Sequence, residues 1–156
     1  MADKTNEQDE QIVQGLLPLP QRDVVLLLES GYLLMEMGRN KEAEDIFQGV
    51  SALIPHSEVP HMAMGHLYFS MGRFYPALKA HQRAVQLNPK SAAAHAGVGE
   101  ILLFLKRHQE AIVSLDKAIS LEPNSSAGEF AHALKEAQSL GVFGSGQTPE
   151  NAESQP

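Results

Sequence analysis

Residues 61–85 read HMAMGHLYFSMGRFYPALKAHQRAV, and their pattern of small and apolar residues recurs 34 positions earlier and later. The other two copies lie in 26–47 (LLLESGYLLMEMGRNKEAEDIF) and 95–119 (HAGVGEILLFLKRHQEAIVSLDKAI). Three kinds of residue recur with a spacing of 34. Glycine stands at Gly31, Gly65 and Gly99, and alanine at Ala43, Ala77 and Ala111. Proline follows each copy, at Pro55, Pro89 and Pro123. A 34-residue period with small residues at fixed places and a closing proline predicts stacked helix–turn–helix repeats.

The period predicts an all-α chain, a helical solenoid with its repeat domain at 23–141. Three repeats cover 24–57, 58–91 and 92–125 without insertion, each with a helix A, a tight turn and a helix B. A capping helix is predicted at 126–140, because serines precede it, an apolar stripe runs along it and a glycine follows it. The glycines of helix A are expected to face the in-phase alanines of helix B.

Both ends of the chain are expected to lack a fold of their own. Residues 1–10 form an acidic N-terminus and 142–156 a polar tail, and both are predicted to be disordered. Between them, 11–22 is predicted to be a short helical lead-in that contains prolines. In the turns between helices A and B, Gly38 and Gly72 stand where a left-handed residue is favoured, and Lys106 takes that place in the third repeat.

Composition excludes several classes of protein. The 156 residues hold no cysteine, which removes disulfides and thiol chemistry, and no apolar run is long enough to span a membrane. The net charge of −7 lies mostly in the two ends, so the body offers no basic stripe for nucleic acid. With no secretory signal at the N-terminus, the expected location is cytoplasmic.

No catalytic motif is present, and the seven histidines do not stand at metal-binding spacings on a helix. We therefore expect no enzyme activity, no cofactor and no metal site. Buried or half-buried structural histidines are the favoured interpretation.

The three quoted stretches resemble tetratricopeptide repeat (TPR) proteins across about two-thirds of the chain. In that family the second, fifth, ninth and twelfth places of helix A line a concave groove. This register assigns the groove to Val25, Leu28, Tyr32, Met35, Val59, Met62, His66, Phe69, Ala96, Glu100 and Leu103, and Phe104 lies alongside them. Ala93 occupies the remaining place of the third repeat.

The predicted groove is apolar and aromatic, with one carboxylate and no lysine, arginine or asparagine. The resemblance to TPR cochaperones that grip acidic peptides therefore fails, because those use basic residues and asparagine on these faces. An apolar groove suits a hydrophobic or amphipathic segment of a protein partner. The alternative is that the chain covers the groove itself, by residues 11–20 folding back or by a homodimer.

The overall plan is similar to that of small bacterial type III secretion chaperones, either the translocator (class II) type or the needle-subunit type. That resemblance implies a chaperone that keeps an export substrate soluble by holding an apolar segment. A generic TPR adapter or scaffold in a multiprotein complex fits the same repeats, and this alternative stays open.

Overall fold

The computed structural model describes residues 12, 13, 15 and 17–145. The predicted all-α fold of helix–turn–helix repeats is confirmed, and none of the described helices is long and apolar enough to cross a bilayer. The chain divides into unit 1, residues 1–56, and unit 2, residues 57–156. Unit 1 contains β1 (Ile12–Val13), β2 (Leu19–Pro20), α1 (Gln21–Glu36) and α2 (Asn40–Leu53). Unit 2 contains α3 (Val59–Ser70), α4 (Phe74–Leu87), α5 (Ala92–Phe104), α6 (His108–Leu121) and α7 (Ser126–Ser139).

The lead-in to α1 is extended, so the helical segment predicted within 11–22 is wrong. β1 and β2 form a short antiparallel pair, and α1 begins directly after β2. Proline disfavours helical backbone in the residue before it, which keeps Leu19 extended ahead of Pro20. Gly15 lies so close to the carbonyl of Leu53, at the end of α2, that a Cβ atom there would collide with it.

The helices of unit 1 pack through a glycine and an aromatic ring. Phe47 of α2 is fully buried, and a Cβ atom on Gly31 of α1 would lie under 3.0 Å from its ring. Ala43, which was expected to face Gly31, is also fully buried, and in the third repeat a Cβ atom on Gly99 would lie 3.3 Å from the carbonyl oxygen of Ala111. Val24, Val50 and Ile54 form a small core beside this contact.

Unit 2 is organised around α5, which packs against α3, α4, α6 and α7. Nine of its thirteen residues are buried. Ser91 caps the N-terminus of α5, and its hydroxyl accepts a hydrogen bond from the backbone N–H of Ala94 at 3.2 Å. Ser125 caps α7 in the same way, through the backbone N–H of Gly128 at 3.1 Å. These caps satisfy N–H groups that have no partner within the helix.

The turns between helices A and B share one geometry. Gly38, Gly72 and Lys106 all have positive φ, at 74°, 71° and 63°. In the third turn the N–H of Arg107 donates to the carbonyl of Leu102 at 2.9 Å, which closes the helix end. Lysine therefore adopts a left-handed conformation that glycine adopts without steric cost.

After α7, Phe143 packs back against α5, in contrast to the disordered tail predicted from 142. Gly141 has a φ of 79° and ends the helix, and the chain then turns back toward α5. The Phe143 ring lies 5.5 Å from that of Phe104, and the Lys106 ammonium donates to the Phe143 carbonyl. The predicted disorder of residues 1–10 and 146–156 lies outside the described residues.

Candidate functional site

Four predicted groove residues lie on α1 in unit 1, and most of them help to pack α1 against α2. Tyr32 meets Phe47 edge to face at 5.3 Å, and burial raises the pKa of its hydroxyl. Leu28 packs against the small core of unit 1, and Met35 is half-buried. Val25 is the most open of the four, at 43% exposure.

The four predicted groove residues on α3 differ in how exposed they are to solvent. Val59 is exposed at the start of the helix, and Met62 is half-buried. The hydroxyl of Ser91 lies 3.9 Å from the sulfur of Met62, which links α3 to the start of α5. His66 keeps part of its surface open to solvent, while burial of the rest lowers the pKa of its imidazole.

Phe69 belongs to a cluster of aromatic rings at the turn ends of the helices. Its ring lies 5.6 Å from that of Phe74 and 4.9 Å from that of Phe104, and Phe104 in turn contacts Phe143. Phe69 is half-buried in this cluster, while Phe104 keeps about two-fifths of its surface exposed. The two predicted groove residues therefore also join α3, α4, α5 and the segment after α7.

Leu103 is a correction to the predicted groove, because it is completely buried. It belongs to the main core of unit 2 together with residues of α4, α6 and α7. A side chain with no exposed surface cannot contact a partner unless the core opens. Ala96 is also buried, at 2% exposure, but it forms the floor of an open cleft.

That cleft has a volume of ≈230 Å³ and lies on the helix-A side of unit 2. Helices α3, α5 and α7 supply its walls, so the capping helix takes part in it as a further helix A. Three predicted groove residues meet there, His66, Ala96 and Glu100. The full lining is His66, Ala93, Ala96, Gly97, Glu100, Ser126, Ala127 and Phe130.

The α7 residues of the cleft were not among the predicted groove residues. Ala127 and Phe130 stand 34 positions after Ala93 and Ala96, so the period could have found them. Phe130 is 42% exposed at the rim. Helix α7 was predicted only as a capping helix. Its residues were left out of the groove because a cap is expected to cover the end of the array rather than extend its binding face.

Two titratable groups face the cleft with opposite shifts of pKa. Burial raises the pKa of the Glu100 carboxyl and lowers that of the His66 imidazole. Burial disfavours the charged form of each group. The cleft therefore offers a carboxylate in a largely apolar setting, beside a ring that is neutral near pH 7.

His81 of α4 is the buried histidine of the fold, and the sequence analysis did not single it out. It is 1% exposed, and its Nδ1 atom has no hydrogen-bond partner in the part of the chain that the structure describes. Burial and the nearby His66 lower its pKa from 6.5 to about 3. Its phase was the available signal, since Phe47 and Leu115 stand exactly one period before and after it.

The described residues contain no group of three histidine, aspartate or glutamate side chains that could hold a metal ion. The arrangement offers surfaces for contact: an open cleft with one carboxylate and an exposed phenylalanine at its rim. Its chemistry is that of binding through shape, apolar contact and charge.

The family model described as "Anaphase-promoting complex, cyclosome, subunit 3" (ANAPC3) matches residues 36–118, more than half of the chain. No curated protein is similar enough in sequence to count as a relative. The matched residues include α2 to α5 and most of α6.

Several solved TPR structures share the fold at low identity. The first TPR domain of Spaghetti (RPAP3), bound to the HSP90 peptide SRMEEVD, is 24% identical, with a TM-score of 0.64 over 76% of this chain and 94% of that one. PcrH from Pseudomonas aeruginosa is 20% identical, with a TM-score of 0.66 over 80% and 94%.

SycD, a Yersinia enterocolitica type III secretion chaperone solved with a peptide of the translocator YopD, is 18% identical. Its TM-score is 0.61 over 75% of this chain and 95% of that one. PcrH has also been solved with the chaperone-binding region of PopB. At these identities the similarity establishes the fold, and the predicted TPR architecture is confirmed.

Proposed function

The chain belongs to the ANAPC3 family of TPR-like proteins, and we propose that it is a non-enzymatic binding protein that holds a segment of a partner polypeptide. The observation that carries this proposal is the cleft of ≈230 Å³ on the helix-A side of unit 2. Solved proteins of the same fold bind peptides: RPAP3 binds an HSP90 peptide, PcrH a region of PopB, and SycD a peptide of YopD.

The binding face is the one formed by α3, α5 and α7. Val59 and Phe130 are exposed apolar side chains on these helices, and the lining of the cleft between them is mostly small and apolar. Such a surface favours a segment with apolar anchors that enter pockets.

The finer proposal is that the protein is a type III secretion chaperone of the cytoplasm, which keeps an export substrate soluble until it is released. The fold shared with PcrH and SycD supports it, as does a face without the basic clamp that acidic peptides need. The mechanism is stoichiometric: burial of the substrate's apolar segment prevents its premature assembly.

A second candidate function is that of an adapter in a multiprotein complex. The description of the matching family, which names a subunit of a large complex, favours it. An adapter would bind its partner without changing the partner's solubility, whereas a chaperone's partner would aggregate or be degraded when expressed alone.

The test is co-expression of the tagged full chain with the products of adjacent genes, followed by co-purification. Ala93→Trp fills the cleft and is expected to reduce recovery of the partner at least about tenfold. Ala133→Trp is the matched control, because Ala133 is an exposed alanine of α7 outside the cleft lining, and recovery there stays normal.

Undiminished recovery with Ala93→Trp would place the binding site elsewhere. The solubility of the partner expressed alone then separates the two functions. An insoluble or degraded partner that the chain rescues indicates a chaperone, and a stable, soluble partner indicates an adapter.

A further inference from the structure

Glu100 lies half-buried in the cleft, and nothing in the described part of the chain pairs with its carboxylate. Three other acids of unit 2 have partners: Glu110 accepts a hydrogen bond from Arg107 at 2.8 Å, Glu58 accepts one from Asn88 at 2.7 Å, and Asp116 pairs with Lys135. Glu110 and Asp116 are more exposed than Glu100, which has no partner among the described residues.

An unpaired carboxylate in an apolar setting is costly, because burial removes water that stabilises its charge. The raised pKa of Glu100 has desolvation as its cause, with no neighbouring cation to offset it. Neutral His66, across the cleft on α3, supplies no positive charge near pH 7. The site therefore gains most from a cation that arrives with a ligand.

The shape of the cleft limits what that cation can be. Ala93, Ala96 and Gly97 of α5 contribute little side-chain bulk, so the space lies between them and the larger side chains of the lining. A volume of ≈230 Å³ admits one long side chain but not a whole helix. Phe130 of α7 presents an exposed ring at the rim, where a cation can lie against the aromatic face.

We propose that this cleft receives a basic side chain of the bound segment, arginine in preference to lysine, whose charged group pairs with the carboxylate of Glu100. The alkyl stem packs against the small residues of α5, and the guanidinium can contact both the carboxylate and the Phe130 ring. Arginine is favoured because its planar group forms paired hydrogen bonds and stacks on aromatic rings.

This inference rests on the proposed function and adds to it the kind of residues that the partner segment carries. The partner segment carries apolar anchors and one base at a fixed distance from them. An acidic segment is disfavoured, because its carboxylates would meet Glu100 in a setting of low polarity, where like charges repel strongly.

The first experiment is an NMR titration of the full chain with Nα-acetyl-arginine amide and with its neutral isostere, Nα-acetyl-citrulline amide. The arginine probe is expected to shift backbone amides around Glu100 and Phe130 and to bind at least about tenfold more tightly than citrulline. Glu100→Gln keeps the shape of the side chain and is expected to abolish that difference.

Glu129→Gln is the matched control, because Glu129 is an exposed carboxylate of α7 outside the cleft lining. It is expected to leave the arginine affinity unchanged. Equal binding of the two probes, or full retention of the arginine preference in Glu100→Gln, would overturn the inference.

The second experiment separates this inference from the proposed function. A random 12-residue peptide display library is selected on the wild-type chain, on Glu100→Gln and on Ala93→Trp. The wild-type chain is expected to enrich peptides with one basic position among apolar residues, and Glu100→Gln to lose the basic position while keeping the apolar ones.

Enriched peptides without a basic position would overturn this inference and leave the proposed function standing. Enrichment that Ala93→Trp does not reduce would overturn the assignment of the binding face. A library with no enriched peptides would contradict both.

Discussion

The imidazole of His81 on α4 occupies the space that a side chain on Gly65 of α3 would need. A Cβ atom at Gly65 would lie under 3.0 Å from ring atoms of His81, and one at Gly97 of α5 would meet the same ring. The histidine thus sits in a slot between two glycines. Gly31 with Phe47 and Gly99 with Leu115 repeat the relationship one period away. Glycine is therefore required at these three positions, because a side chain of helix B packs directly against each of them.

Gly65→Ala is expected to destabilise the fold by about 2–3 kcal/mol, because an added methyl group in a packed core forces the backbone or the ring to move. In a His81→Ala background, where the ring is gone, the same change should cost much less. A double-mutant cycle of urea unfolding measures the coupling, expected to be about 1–3 kcal/mol. Additive effects would show that Gly65 and His81 do not compete for space.

His81→Leu is expected to stabilise the protein by about 1–2 kcal/mol at pH 7, because it removes a buried nitrogen that has no hydrogen-bond partner among the described residues. Leu115 already fills the equivalent place opposite Gly99. Chemical denaturation at pH 7 measures the difference. A destabilised variant would mean that the slot between Gly65 and Gly97 fits only a flat ring.

The wild-type protein is expected to lose stability between pH 6.5 and about 3, because the His81 imidazole takes up a proton more readily when unfolded. The folded-state pKa is the lower one, so this stability is complete above pH 6.5 and falls with pH. The contribution is at most about 5 kcal/mol. His81→Leu should flatten the curve of stability against pH relative to wild type, and an unchanged curve would contradict the explanation.

Gly72→Ala and Gly49→Ala should have opposite effects. Gly72 has a φ of 71°, which costs a residue with a Cβ atom about 1 kcal/mol or more. Gly49 is exposed within α2 with open space around it, so alanine there is expected to stabilise by about 0.5–1 kcal/mol. Thermal or urea unfolding of the two variants tests the pair, and a shift of the same sign in both would contradict the explanation.

Phe69→Ala is expected to destabilise unit 2 by about 2–3 kcal/mol, because its ring contacts both Phe74 and Phe104. Phe130→Ala, which removes an exposed ring at the rim of the cleft, should cost less than about 1 kcal/mol. Urea unfolding compares the two, and partner binding by Phe130→Ala then reports on the cleft without a loss of fold. Equal costs would show that the aromatic cluster adds no stability.

Much of the fold followed from the phase of a few residues. Glycine recurs at 31, 65 and 99 and marks the crossing of each helix pair, and Gly38, Gly72 and Lys106 mark the left-handed turns. These features are local or strictly periodic, so they can be read along the chain. The prediction of a helical lead-in at 11–22 also failed for a local reason, since Pro20 favours extended backbone in the residue before it.

The groove was harder to predict because exposure depends on every helix that packs against a face. Leu103 stands in a groove position by its register, yet it is completely buried because α5 has neighbours on several sides. Phe143 lies beyond the last helix, and only the fold brings it against Phe104. The place of Phe130 in the cleft required the recognition that α7 continues the series of A helices.

The sequence alone determined the repeat, its helices and its turns, because the 34-residue phase and the residue types are properties of the chain itself. The tertiary structure decided which in-phase residues stay open and that His81 is confined between Gly65 and Gly97. It also decided that Glu100 lies in a cleft, with no partner among the residues that the structure describes. Burial and pairing depend on side chains that are distant in sequence, and a periodic pattern does not specify those contacts.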